Sequence, residues 1–127
     1  MWIFGVHSVR KRLVLHEVSL LENVREILQE HALTQEFTQV KKITLEIGSL
    51  SCVEPEALRF GFSAVMKGSL AEGAELNLTQ LEAQGQCASC QSMVIMQHHY
   101  DACSVCEHPF VTVVQGNEMR IKDLVVI

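Results

Sequence analysis

Long apolar runs and an export signal are absent from this chain of 127 residues. No apolar stretch approaches the roughly 20 residues that a membrane-spanning helix needs. Near the amino terminus the basic residues Arg10, Lys11 and Arg12 follow the apolar residues instead of preceding them, and no cleavage site with small residues appears. The sequence therefore predicts a cytoplasmic protein with no membrane partner.

Basic and aromatic residues are also scarce. The chain has a net charge of −5, and three of its ten basic residues lie at positions 10–12, so the remainder is distinctly acidic. Beyond position 60 the aromatic residues are Phe62, Tyr100 and Phe110. Proteins that bind nucleic acids need basic surfaces, often with aromatic side chains that stack on bases. We therefore expect no nucleic-acid partner.

Catalytic motifs are missing as well. The chain has no Gly-rich phosphate loop, no nucleophile beside a base and no pair of carboxylates placed for acid–base chemistry. The sequence therefore predicts a protein that is not an enzyme.

The hydrophobic pattern predicts two helices and several strands. Helical spacing runs from Val18 to about Ala32, and a second helix begins at Pro55 and stops near Gly68. Alternating apolar residues predict strands over residues 41–48 and 74–83. Two further strands flank a turn at residues 115–117, close to the carboxyl terminus.

Four cysteines give the most specific signal. Cys87 and Cys90 form one C-x2-C pair, and after twelve residues Cys103 and Cys106 form a second. Two such pairs can direct four thiolates to one tetrahedral ion, as in closed structural zinc sites. The surrounding segment has almost no core of its own, so it needs such a link to become ordered. Two disulfides, a thiol redox pair and an iron site are the alternatives to zinc.

Other potential ligands carry weaker signals. Cys52 stands alone beside Leu50 and Val53, which is typical of a small buried side chain. His98, His99 and His108 lie close to the cysteine pairs. They are either solvated side chains, or pH-responsive neighbours or substitute ligands of the zinc site.

His16 and Glu17 directly precede the first helix. Taken alone, this dipeptide is a polar lead-in whose Glu17 favours a helix amino terminus. The surrounding segments change that interpretation, because together with the two cysteine pairs they resemble the HypA/HybF family of hydrogenase maturation factors from about Leu15 to the carboxyl terminus. The segments are HEVSLLENV, LEIGSLSCVEPEALRFGF, GSLAEGAELNL and RIKDLVV.

The resemblance implies a nickel metallochaperone that binds Ni(II) and delivers it for assembly of the [NiFe] hydrogenase active site. It implies an α/β (α+β) fold in which two helices lie on a small mixed three-stranded sheet, with an inserted zinc-ribbon domain. By position, His16 and Glu17 match the nickel-binding residues. Cys87, Cys90, Cys103 and Cys106 match the ligands of one structural zinc ion. The implied partners are a HypB-type GTPase and the precursor of the hydrogenase large subunit.

The expected domains are a nickel-binding α/β domain over residues 15–83 and 116–127 and a zinc ribbon over residues 84–115. Residues 1–14 form an extension, and here the chain departs from the family. In the family the dipeptide follows the initiator methionine, so that a free amine joins the nickel ligands. We expect translation to start at Leu15, and the alternative is a genuine extension.

A zinc-stapled interaction or nucleic-acid-binding module without metal transport is the alternative function, and dimerisation is left open.

Overall fold

Two helices and seven strands make up the described part of the protein. The computed structural model describes the backbone of residues 2–9 and all of residues 17–127. In chain order the elements are β1 (Trp2–Val9), α1 (Glu17–Gln35), β2 (Val40–Gly48), α2 (Pro55–Met66), β3 (Glu75–Leu81), β4 (Gln84–Cys87), β5 (Met93–Ile95), β6 (Val111–Gln115) and β7 (Met119–Val126). Within these described ranges, no helix is both long enough and apolar enough to cross a membrane.

The strands form two sheets. The larger one has the order β1-β7-β2-β3, and the smaller one has the order β5-β4-β6. The larger sheet is mixed, since β2 runs parallel to β3 and antiparallel to β7. Because parallel strands cannot be joined by a tight turn, α2 serves as the crossover between β2 and β3.

The two helices pack on the larger sheet through the apolar stripes that the sequence predicts. From α1 the stripe contributes Leu20, Leu21, Val24 and Leu28, and from α2 it contributes Leu58, Phe62 and Met66. They form one core with the alternating residues Ile43, Leu45 and Ile47 of β2. Pro55 is tolerated in the first turn of α2 because its missing N–H has no partner there in any helix. The predicted fold class, two helices on a mixed sheet, is confirmed.

Residues 2–9 add a strand that the sequence pattern does not reveal. The backbone of β1 pairs antiparallel with β7, from Trp2 opposite Val125 to Val9 opposite Met119. The predicted three-stranded sheet corresponds to β7-β2-β3, and β1 extends it at the β7 edge.

The last two strands exist as predicted, but they do not pair with each other as a hairpin. β6 pairs with β4 in the smaller sheet, whereas β7 pairs with β1 and β2 in the larger one. Between them Gly116 has φ +94°, and a Cβ atom there would lie 2.3 Å from Cα of Ala83. The chain therefore crosses from one sheet to the other at a close backbone contact that a larger residue could not make.

The smaller sheet has its own core, and one residue of the larger unit enters it. This core consists of Leu50, Ala83, Cys87, Val94, Met96 and Cys103. Leu50 belongs to the turn after β2, and its N–H donates to the carbonyl oxygen of Gly116 at 2.8 Å. The cysteine-bearing segment is thus anchored on the larger sheet through that turn.

Candidate metal centre

The four cysteines of the two C-x2-C pairs converge on one point. Their Sγ atoms all lie within 4.8 Å of one another. Sγ of Cys87 lies 3.5 Å from Sγ of Cys106, and Sγ of Cys90 lies 3.7 Å from Sγ of Cys103. These separations exceed the ~2.05 Å of a disulfide bond, and all five cysteines are free. The geometry is therefore that of a four-thiol cluster able to surround one ion.

The backbone of each pair turns its N–H groups toward the first sulfur atom. Ser89 N and Cys90 N lie 3.3 and 3.5 Å from Sγ of Cys87. In the second pair, Val105 N and Cys106 N both lie 3.4 Å from Sγ of Cys103. Donors arranged in this way favour the thiolate over the thiol, which is the form that binds metal ions.

Hydrogen bonding makes the thiols unequal. Hydrogen bonds from Ser92, first from its side chain and to a smaller extent from its backbone N–H, lower the pKa of Cys90 to about 6. The pKa of Cys87 is also lowered, chiefly by the backbone N–H of Cys90. At Cys106 the backbone N–H of His108 acts to lower the pKa, but the contact with Cys87 and burial outweigh it and raise the pKa to about 12. Four thiolates at neutral pH therefore require a cation at the centre of the cluster.

Sequence reasoning missed Ser92 and the backbone role of His108. Each stands two residues after the second cysteine of its pair, and each donates to that cysteine. The spacing itself is the available signal, because a C-x2-C turn exposes the N–H two residues after each cysteine.

The three neighbouring histidines each make a separate contact, and none of them belongs to the four-cysteine group that could hold a metal ion. Nδ1 of His98 lies 3.3 Å from a carboxylate oxygen of Asp101, and the ring stacks on Tyr100 with centroids 5.1 Å apart. Nε2 of His99 lies 3.0 Å from the carbonyl oxygen of Leu50. Nδ1 of His108 accepts from the N–H of Phe110 at 3.2 Å. A pH-responsive role for these residues stays a prediction.

The expectation that Cys52 is a small buried side chain is wrong. Cys52 is exposed and has φ +59°. Leu50 and Val53 on either side of it are buried. Ser51 is buried as well. In this turn it is therefore Cys52 that points outward, in a backbone conformation that few L-residues adopt.

The predicted nickel-binding pair is described only in part. His16 lies outside the described residues. Glu17 is the first residue of α1 and is half-buried. An acidic residue in this position interacts favourably with the helix dipole.

Comparison with known proteins places these features in one family. The family profile described as "Hydrogenase/urease nickel incorporation, metallochaperone, hypA" matches residues 15–126. Hydrogenase maturation factor HypA of Azotobacter vinelandii is 44% identical over 110 residues, which cover 87% of this chain and 97% of the relative. The HypA of Legionella pneumophila strain Lens is 38% identical over 112 residues, which cover 88% of this chain and 99% of the relative.

A solved structure has the same fold. The solution structure of the Ni metallochaperone HypA from Helicobacter pylori superposes with a TM-score of 0.74 at 23% identity, covering 89% of this chain and 98% of that one. With a profile match over nearly the whole length and relatives of this identity, the chain belongs to the HypA family of hydrogenase maturation factors.

Proposed function

We propose that this protein is a nickel metallochaperone that binds Ni(II) and delivers it for assembly of the [NiFe] hydrogenase active site. The observation that carries the proposal is the extent of the family match, which begins at residue 15 and so includes His16 and Glu17. The protein catalyses no reaction of its own, and nickel is its cargo.

The nickel ions bind at the amino-terminal end of α1. His16 supplies an imidazole, backbone nitrogen atoms complete the ligand set, and Glu17 assists from the first position of the helix. Imidazole and amide nitrogen atoms suit the square-planar or tetragonal geometry that Ni(II) favours. Binding requires a neutral imidazole, so acidification releases the metal.

The four-cysteine cluster holds one structural zinc ion. Zinc bound by four thiolates at about 2.3 Å in a tetrahedron places the sulfur atoms about 3.8 Å apart. The separations of 3.5 and 3.7 Å within the cluster fit this distance. Zinc also supplies the positive charge that the cluster needs, and it undergoes no redox change. The residues thus fit the ion by number, type and spacing.

Two domains carry these two sites. The nickel-binding domain comprises residues 15–83 and 116–127, and the zinc ribbon comprises residues 84–115. The partners are a HypB-type GTPase and the precursor of the hydrogenase large subunit. The protein works in the cytoplasm, where a reducing environment keeps clustered thiols free to bind metal.

Nickel loading of the hydrogenase tests this function. In a cell whose own copy of this protein is replaced by His16→Ala, the purified hydrogenase large subunit should contain little nickel by mass spectrometry. His31→Ala, near the carboxyl-terminal end of α1, is the matched control and should support normal loading. Full loading with His16→Ala contradicts the proposed function.

A further inference from the structure

A groove runs along the seam between α1 and α2, on the side away from the larger sheet. Its volume is about 470 Å³. The residues that line it are Val18, Glu22, Arg25, Phe60, Gly61, Ala64 and Val65. The three residues from α1 follow the spacing of one helical face. The groove begins at Val18, next to Glu17, the first residue of α1.

The groove exposes a large aromatic side chain. Phe60 is 90% exposed, whereas Phe62, two residues later, is 6% exposed and belongs to the core. Across the seam Val18 is 50% exposed. Phe60 of α2 and Val18 of α1 line the same groove, so its apolar surface comes from both helices. Continuous apolar patches of this kind mark protein interfaces, and aromatic residues are enriched among the side chains that anchor them.

The groove is preformed, because the two helices are held close together. At Gly61 the two helices already lie close together, because a Cβ atom there would be in van der Waals contact with Cδ1 of Leu21, at 3.4 Å. The guanidinium of Arg25 donates to the carbonyl oxygen of Val65 at 2.9 Å and links the helices. A partner that docks here does not have to order the groove first, which favours affinity.

The charges of α1 select the kind of partner. This helix carries four glutamates and one arginine, a net charge of −3 with His31 neutral. Glu22, Glu26 and Glu30 follow each other at intervals of four residues, so they lie in one row and repel each other. Within residues 17–127 none of the three forms an ion pair with Lys or Arg. The one arginine of the helix is engaged with Val65. A basic partner surface along this row removes the repulsion.

We infer that this groove docks an amphipathic helix of a partner protein. The apolar face of that helix covers Phe60 and Val18, and lysines or arginines on its flank face Glu22 and Glu26. A helix fits the groove because its ridges pack into the channel between two neighbouring helices, with anchors at helical spacing. The inference deepens the proposed function, on which it rests: the docked partner is held at the end of α1 where nickel binds.

Peptide binding followed by NMR tests the groove. The probe is a synthetic helical peptide with leucines along one face and lysines on the others, titrated into the isotope-labelled, zinc-loaded full chain. We expect the backbone amide signals of Val18, Gly61 and Ala64 to shift. Phe60→Ser should weaken binding at least about tenfold. Leu33→Ser is the matched control, because Leu33 is 84% exposed on α1 but does not line the groove.

A pair of charge variants tests the electrostatic part. Glu22→Lys should weaken binding of the lysine peptide, whereas Glu72→Lys, an equal change of net charge at an exposed residue outside the groove, should not. A counterpart peptide with glutamates in place of lysines should not bind. No binding of the lysine peptide, equal effects of Phe60→Ser and Leu33→Ser, or equal binding of the two peptides overturns the inference.

Two further measurements distinguish docking of a partner helix from dimerisation of this chain and from a failure of the proposed function. If the wild-type chain forms a dimer that Phe60→Ser dissociates, the groove is occupied by a second copy and the inference is wrong. Nickel titration of Phe60→Ser should match the wild type, because Phe60 is not a ligand. Normal nickel binding without peptide docking therefore refutes the docking surface alone, and absent nickel binding in the wild type refutes the proposed function.

Discussion

His99 donates from Nε2 to the carbonyl oxygen of Leu50, with 3.0 Å between the two atoms. His99 lies on the loop between the two cysteine pairs. Leu50 lies in the turn after β2, and its side chain enters the core of the smaller sheet. The contact therefore joins the larger and smaller sheets through two residues that are 49 positions apart in the chain. Both the neutral Nε2–H tautomer and the charged imidazolium ring can make it.

Removing this hydrogen bond should loosen the contact between the two units. We expect His99→Ala to cost about 1 kcal/mol of stability, the usual net value for one such bond. Hydrogen exchange should become faster in residues 48–52 and 97–101, while the metal content stays unchanged because His99 is not in the sulfur cluster. Unchanged exchange in both segments would mean that the contact does not hold the units together.

Substitution at Gly48 should disturb the junction of the sheets more strongly. A Cβ atom at Gly48 would lie 2.2 Å from the carbonyl oxygen of Gly116, and backbone atoms cannot move away as a flexible side chain can. We expect Gly48→Ala to lower the free energy of unfolding by about 1–3 kcal/mol, as overpacking does. Gly61→Ala in α2 is the control, because its Cβ meets only an ordinary contact and alanine favours a helix. Chemical denaturation of both variants checks this, and equal stability contradicts the geometry of the junction.

Zinc retention should depend on the four clustered cysteines and not on the fifth cysteine, Cys52. Cys103→Ser removes one of four ligands, so the purified variant should contain far less than one zinc per chain. The helix–sheet core should persist, since Cys103 belongs to the separate core of the smaller sheet. Cys52→Ser should keep a full complement of zinc, because Cys52 is exposed and outside the cluster. Elemental mass spectrometry decides the matter, and iron in place of zinc would contradict the assignment.

Zinc affinity should fall steeply as the pH falls. In the absence of metal the pKa of Cys106 is raised to about 12, so its proton must leave when zinc binds at neutral pH. Cys90, with its pKa lowered to about 6, takes up a proton when the pH falls below that value and then competes with zinc too. Each competing proton weakens binding about tenfold per pH unit. Competition with a chelator across a pH series measures this. A pH-independent affinity would show that the cysteines are not the ligands.

Local patterns in the sequence predicted the elements, while contacts between distant residues decided how they are assembled. The stripe of Leu20, Leu21 and Val24 has helical spacing, and the spacing of the cysteine pairs reports one cluster, because both patterns depend on neighbours in the chain. The separation of β6 from β7 depends instead on the contact between Gly116 and Ala83. Neither that contact nor the link from His99 to Leu50 leaves a local signal. The exposure of Cys52 was misjudged for the same reason.

The start of the chain should affect how tightly the proposed nickel site binds Ni(II). A version of the chain that begins with methionine at position 15 offers a free amine, the amide nitrogen of His16 and its imidazole, which can close fused chelate rings on one ion. The chain of 127 residues must replace the amine with a poorer ligand, so it should bind Ni(II) more weakly. Equal affinities of the two versions would show that the terminal amine is not a ligand.

Calorimetric titration of Ni(II) into the zinc-loaded protein and its His16→Ala variant tests whether His16 is the essential nickel ligand. We expect a specific nickel site in the wild-type chain, in both versions of its amino terminus, and the loss of that site in His16→Ala. The zinc content and the circular dichroism spectrum of the variant should match the wild type, because His16 precedes the core-facing residues that begin at Leu20. Nickel binding of the same affinity and stoichiometry in His16→Ala would contradict the assignment of the nickel site.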